Sequence, residues 1–202
     1  MKLILAILLS FLLLNACSPG KKIQVWKNKA LAMPPIRKVM VVGMMRNAKD
    51  TIRQKTEDIF CEELKKAGIE AVSSSKILGA NTFEKMDEDD ALYQLNNYCV
   101  DAVLTVTVLN RTKESRYTAG SILYTPFGYY YDRFWRYRTT LQHRLAEDNY
   151  YTNEEHLFFE CTIYNMVTQK LVYSFHSGNF RYLSYPEALV HFAVKISKNL
   201  TR

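Results

Sequence analysis

The chain has 202 residues, of which 48% are hydrophobic and 13% aromatic, and its formal net charge is +7 at pH 7. This length and apolar content suit one domain with a substantial core, which excludes a wholly disordered chain. A basic balance indicates anionic lipid headgroups or acidic glycans as partners, or simply a solvated basic surface. Because the N-terminal residues predict export from the cytoplasm, we predict no nucleic-acid partner.

The N-terminal residues have the pattern of an export signal. Lys2 precedes an almost unbroken apolar run over residues 3–14, which is too short for a membrane-spanning helix of about 20 residues. The sequence Leu14-Asn15-Ala16-Cys17 resembles the bacterial lipobox, which implies acyl chains on Cys17 and removal of residues 1–16 as a signal peptide. Ser18, in place of Asp, implies sorting to the outer membrane. An ordinary secretory signal with a chance cysteine is the alternative.

The remaining chain predicts one domain with an α/β (α+β) fold. We expect a lipid-anchored flexible tether over residues 17–35 and a single domain over residues 36–202. Apolar runs predict strands over residues 37–45 and 69–73, and helical spacing predicts a helix over residues 50–67 between them. The sheet is therefore mixed and begins with a strand–helix–strand unit, with helices packed mainly on one face.

The second half of the chain adds a central strand and a hairpin. Residues 101–109 (DAVLTVTVL) form the strongest predicted strand, preceded by a short helix over residues 91–98. The acidic run at residues 87–90 suits the start of that helix, because negative charge is favourable at a helix N-terminus. A calcium loop is the alternative, but the run lacks the required spacing. Residues 156–164 and 170–180 predict an antiparallel C-terminal hairpin, and residues 186–199 predict a final helix.

Residues 117–138 (YTAGSILYTPFGYYYDRFWRYR) form an unusual aromatic-rich insertion with interleaved arginines. Aromatic residues and arginine are enriched where proteins bind each other. We select eight candidate partner contacts: Tyr124, Phe127, Tyr129, Tyr130, Tyr131, Arg133, Trp135 and Arg136. Two alternatives stay open, namely a pair of strands packed on the sheet, and a pocket for a small ligand or glycan lined by Tyr129, Trp135 and Arg136.

The sequence contains no recognisable catalytic or metal-binding constellation. The four histidines lack paired ligand spacing, and there is no P-loop, dinucleotide fingerprint or CxxC motif. We therefore predict a protein that is not an enzyme and has no cofactor or metal. A hydrolase with a Cys161–His176 dyad is the single nucleophilic alternative. Cys61, Cys99 and Cys161 predict core packing, or one disulfide with one free thiol.

Three stretches carry a resemblance to a known group of proteins. They are Asp101-Ala102-Val103-Leu104, the Gly-rich aromatic middle from Gly120 to Tyr137, and Thr162-Ile163-Tyr164-Asn165 followed by Gln169-Lys170-Leu171-Val172-Tyr173. The chain resembles a family of bacterial envelope lipoproteins of unknown function, similar in fold to CsgG-like, PelC-like and TolB N-terminal domains. The resemblance implies a one-sheet α/β sandwich and no catalytic residues. We expect membrane attachment through lipid, with an envelope protein or a second copy as partner.

Overall fold

The computed structural model describes residues 23–31, 35–45, 50–79, 86–110, 133–138, 157–177 and 184–201. The strands are β1 (Gln24–Lys27), β2 (Lys38–Met44), β3 (Glu70–Ser73), β4 (Ala102–Asn110), β5 (Leu157–Asn165) and β6 (Leu171–His176). The helices are α1 (Asp50–Lys66), α2 (Ser74–Leu78), α3 (Glu88–Asn97), α4 (134–138) and α5 (Tyr185–Leu200). Within these residues, no helix combines the length and the apolar character needed to cross a bilayer.

The six strands form one mixed sheet in the order β1-β6-β5-β4-β2-β3. β2 runs parallel to both β3 and β4, whereas β4, β5, β6 and β1 are antiparallel in succession. The sheet therefore has a tether end, where β1 begins and β2, β3 and β4 finish, and a turn end, marked by the β5–β6 turn at residues 166–170. Because β3 and β4 flank β2, right-handed crossovers place α1 and α3 on opposite faces.

The first face of the sheet holds the larger apolar core, beneath α1 and α5. Alternate strand residues point into it, including Val41 of β2, Leu104 of β4 and Ile163 of β5, all fully buried. Phe60 of α1 and Phe192 of α5 close this core, with their rings 6.3 Å apart in an edge-on arrangement. The periodic apolar residues of both helices thus produce the packing that their spacing predicts.

The second face is covered by the shorter α3 and α4, and its core is smaller. Met40 of β2 and Val103 of β4 pack there with Leu95 of α3 and Phe134 of α4. Tyr164 of β5 and Leu171 of β6 also pack there. Five further inward positions of β4, β5 and β6 on this face are polar and nevertheless buried: Thr105, Thr107, Glu160, Thr162 and Ser174. The helices that cover this face must therefore bring polar partners as well as apolar surface.

The predicted fold class is confirmed, together with the strand–helix–strand opening and the C-terminal hairpin. The two longest helices pack on one face, as predicted. The acidic run does cap a helix, because the Asp87 side chain accepts a hydrogen bond from the backbone N–H of Asp90 at 2.9 Å. α5 begins at Tyr185, close to its predicted start.

Two boundaries differ from the prediction. Strand β1 lies inside residues 17–35, which the sequence assigned to the tether, because four mostly exposed residues become a strand only by pairing with β6. Residues 134–138 are helical and not part of a strand pair. In β6 the described strand ends at His176, and residues 178–180 of its predicted span lie outside the described residues.

A buried carboxylate on α1 ties three neighbouring elements together. Glu57 accepts hydrogen bonds from the Gly43 N–H at 2.8 Å, the Ser73 and Ser74 hydroxyls at 2.6 and 2.9 Å, and the Ser75 N–H at 2.9 Å. Gly43 is needed because a Cβ there would lie only 2.8 Å from the Arg53 side chain. The end of β2, the end of β3 and the start of α2 are thereby fixed to α1.

We expect Glu57→Ala to lower the free energy of unfolding by about 3 kcal/mol or more, because it leaves three buried donors and one half-buried donor without this acceptor. The measurement is urea denaturation followed by circular dichroism. Glu62→Ala is the matched control, since Glu62 is exposed on the same helix, and it should change stability by less than about 0.5 kcal/mol. Equal effects of the two substitutions would contradict a structural role for the Glu57 carboxylate.

Candidate functional site

Helix α4 is the part of the aromatic-rich insertion that the structure describes beyond Arg133, and its inner side packs on the sheet. Phe134 and Tyr137 are buried, and both rings lie against Tyr164 of β5, with centroids 5.7 and 6.0 Å apart. Arg133 forms an antiparallel bridge with Lys170 at the turn end of the sheet. These two aromatic residues are therefore core residues, which anchor α4 across β5.

A buried polar cluster lies beneath α4. The Tyr137 hydroxyl donates a hydrogen bond to Glu160 Oε1 at 2.6 Å and lies 3.2 Å from the Thr107 hydroxyl. Glu160 Oε2 is 3.5 Å from His176 Nε2, directly across the β5–β6 pair. Sequence analysis did not select Glu160, although a carboxylate among the strand's aromatic and apolar residues was a usable signal that a buried partner exists.

The outer side of α4 presents arginine and tryptophan. Arg133 and Arg136 are exposed, and Trp135 is half-buried. The buried guanidinium of Arg138 stacks over the Trp135 ring, 4.4 Å from its centroid, and its Nη1 is 3.4 Å from the Met86 carbonyl oxygen. This stacking restricts the orientation of the indole, so the Trp135 side chain has already lost much of its rotamer freedom.

A shallow apolar cleft separates α4 from α3. Its lining includes Leu92 and Leu95 of α3, Arg133 and Trp135 of the α4 segment, and Met166 of the β5–β6 turn. The cavity volume is about 20 Å³, which is room for one water molecule. A sugar ring does not fit in it.

The two most exposed large hydrophobic side chains of the described residues flank this cleft. Tyr93, 64% exposed, follows Leu92 in α3, and Val167, 87% exposed, follows Met166 in the turn. We call the set formed by Tyr93, Arg133, Trp135, Arg136 and Val167 the α3–α4 surface. It combines an apolar floor with exposed aromatic and arginine side chains.

The structure brings together three of the eight predicted contact residues, namely Arg133, Trp135 and Arg136. Tyr124, Phe127, Tyr129, Tyr130 and Tyr131 lie outside the described residues, as does Cys17. The pocket expected for a small ligand includes Tyr129, which lies outside the described residues; of its other two members, Trp135 lines the cleft and Arg136 does not. Tyr93 and Val167 were missed, since isolated apolar residues in a helix and a turn carry no sequence pattern.

The Cys161–His176 dyad is wrong. Cys161 is fully buried in the first-face core and pairs with Phe175, whereas His176 pairs with Glu160 on the second face. Neighbouring residues of a strand point to opposite faces, so the two side chains cannot meet. The alternative disulfide is also absent from the described residues, where Cys61, Cys99 and Cys161 are free thiols.

Metal binding finds no support in the residues that the structure describes, which contain no group of three His, Cys, Asp or Glu side chains placed to hold an ion. The carboxylates with buried oxygens serve other purposes. Glu57 binds backbone and serine donors, and Glu160 binds Tyr137.

Tyr137→Phe should destabilise the domain by about 1.5–3 kcal/mol, because it removes a buried hydrogen bond to a carboxylate. Urea denaturation gives the measurement. Tyr93→Phe is the matched control: the same hydroxyl is removed from an exposed helix position, and stability should stay within about 0.5 kcal/mol of the parent. A Tyr137→Phe protein as stable as the control would show that α4 does not depend on Glu160.

The three cysteines should differ sharply in reactivity. Burial, assisted by Glu57, raises the pKa of the Cys61 thiol to about 12, and burial raises the pKa of Cys161 well above its usual value. Because the thiolate is the reactive form, a Cys17→Ser protein titrated with a thiol reagent at neutral pH should react at Cys99 alone. The other two should react only in urea. Rapid modification of Cys61 or Cys161 in the folded protein would contradict the buried positions.

Three solved structures show distant similarity to this chain. No protein-family model matches the chain, and no curated protein matches it. Two PelC dodecamers from Paraburkholderia phytofirmans match with 11% and 10% identity and TM-scores of 0.47, over 89% of this chain and 98% and 96% of theirs. Lipoprotein GNA1162 from Neisseria meningitidis matches with 12% identity and a TM-score of 0.38, over 81% of this chain and 99% of its own. Likenesses this low transfer no function.

Proposed function

We propose that this protein is a lipid-anchored protein of the cell envelope, held at the outer membrane through Cys17, that acts without catalysis by binding another envelope protein. The observation that carries the proposal is the α3–α4 surface. Its Trp135, Arg133 and Tyr93 are the residue types that dominate binding energy at protein interfaces. The cleft between them offers apolar area with few polar groups.

The anchor rests on the sequence Leu14-Asn15-Ala16-Cys17 behind its apolar run. A single acyl chain holds a protein only marginally, whereas the two or three chains of a lipoprotein hold it stably without a transmembrane helix. Outer-membrane placement rests on Ser18 in the position after the acylated cysteine. The domain itself then needs no membrane-spanning segment to stay at the envelope.

The partner is a protein, and not a glycan, for a reason of shape. Sugar and small-molecule sites are concave and enclose most of their ligand. The α3–α4 surface is shallow, and its most exposed members, Val167 and Tyr93, project from a turn and a helix. A protruding apolar and aromatic surface suits another protein surface.

The test is photo-crosslinking in whole cells, with a photoreactive amino acid in place of Tyr93. We expect one discrete crosslinked protein, identified by mass spectrometry. Position Val190 is the control, because it is exposed on α5 at the first face, away from the cleft. Trp135→Ala should lower the crosslinking yield more than about tenfold if Trp135 contributes as an interface hot spot.

Arg133→Glu is the second variant, since Arg133 is exposed and its substitution leaves the core intact. Circular dichroism of both variants checks that they fold. Identical crosslinked products from positions 93 and 190, or undiminished crosslinking in both folded variants, would refute the α3–α4 surface as the contact.

A further inference from the structure

The point at which the chain enters the sheet lies at one end of the domain. In the β1–β6 pair, Gln24 lies opposite His176 and Lys27 lies opposite Tyr173. β1 therefore starts at the tether end, beside the finishing ends of β2, β3 and β4, and runs toward the turn end. Anything attached shortly before Gln24 is attached to the tether end.

The link from the anchor to this strand is short. Residues 18–23 separate Cys17 from Gln24, and a fully extended chain of that length spans at most about 25 Å. A flexible chain of the same length has a typical end-to-end distance of about 15 Å. The turn end lies beyond β6, whose six residues rise about 20 Å from the turn. The domain can place its turn end on the lipid only with the link almost fully stretched.

Exposed apolar side chains lie at both ends of the domain: Val167 of the turn end is 87% exposed, and two further ones lie at the tether end. Ile52, in the first turn of α1 at the tether end, is 37% exposed, and Val25 of β1 is 44% exposed. Exposed basic residues collect at the turn end, where Lys65 and Lys66 end α1 and Lys198 lies in the last turn of α5. Apolar side chains suit an interfacial position and ammonium groups are attracted to anionic headgroups, so the short link, and not side-chain chemistry, selects the tether end.

We infer that the domain stands on the lipid surface with its tether end, including Ile52 and the start of β1, against the headgroups. The turn end then faces the aqueous side of the envelope. This inference rests on the proposed lipid anchor at Cys17 and goes beyond it, because an anchor alone fixes no orientation. Arg133 and Val167 lie at the turn end, so the α3–α4 surface is directed toward a partner in the aqueous compartment and not toward one inside the bilayer.

The test compares two positions on the same helix. The full lipidated chain, with Cys99→Ser to remove the exposed thiol, carries Ile52→Cys or Lys66→Cys and an environment-sensitive fluorophore on the new cysteine. The proteins are reconstituted into vesicles of phosphatidylethanolamine and phosphatidylglycerol that contain lipids with a nitroxide on the headgroup. We expect severalfold stronger quenching of the label at position 52 than of the label at position 66, which lies at the opposite end of α1.

A third variant, with a long Gly–Ser insertion after Ser18, tests whether the short link causes the difference in quenching between positions 52 and 66. The difference between the two labels should shrink, because a longer link no longer restricts the orientation. An unchanged difference would overturn the short link as its cause. Equal quenching at positions 52 and 66 in the parent would overturn the orientation, and stronger quenching at position 66 would show that the basic turn end lies on the lipid.

Flotation of the same vesicles separates this inference from the proposed function. If the lipidated parent does not float with the vesicles, the anchor itself fails. If it floats and the labels lack the expected order, the anchor stands and only the orientation fails.

Discussion

The antiparallel pairing of β1 with β6 decides which end of the domain the anchor holds. Stretching the six-residue link fully would fix its backbone, which costs about 1 kcal/mol or more of conformational entropy per residue. The opposing force is the attraction of basic residues to an anionic leaflet, about 1 kcal/mol for each one near the surface. Lys38 and Lys66 at the turn end are already paired with Glu70 and Glu63, which weakens that attraction. Stretching the whole link thus costs about as much as the attraction of about six unpaired basic residues contributes.

The second face of the sheet explains why part of the aromatic-rich insertion belongs to the core. A sheet face with buried Thr107 and Glu160 cannot be covered by apolar side chains alone, because their polar atoms would lose water without compensation. α4 supplies both requirements, since Phe134 and Tyr137 bring ring surface and Tyr137 adds a hydroxyl for the carboxylate. The contacts that hold α4 inward also fix the outward direction of Arg133 and Trp135, so the same five-residue helix serves the core and the proposed contact surface.

Most of the sheet could be predicted from the sequence, because β2, β4 and the β5–β6 hairpin carry apolar runs or strict alternation. β1 could not, because its pairing with β6 spans more than 140 residues and leaves no local pattern. Glu57 sits in a helix rich in charged residues, and nothing local distinguishes it from the exposed Glu62. The candidate contacts remain a prediction from composition, which selected Arg133, Trp135 and Arg136. The partition of the same stretch into buried Phe134 and exposed Arg133 depends on where α4 meets Tyr164.

With the proposed anchor, a small contact surface would be sufficient. Contacts that bury little area are weak and transient in free solution. Attachment of both partners to one envelope raises their effective concentration, so that a modest affinity yields a populated complex. The inferred orientation would add to this effect, because a domain with its turn end toward water would present Trp135 and Val167 in most encounters. Exposed Arg133, together with Lys170 beside it, would then favour partners with acidic surfaces.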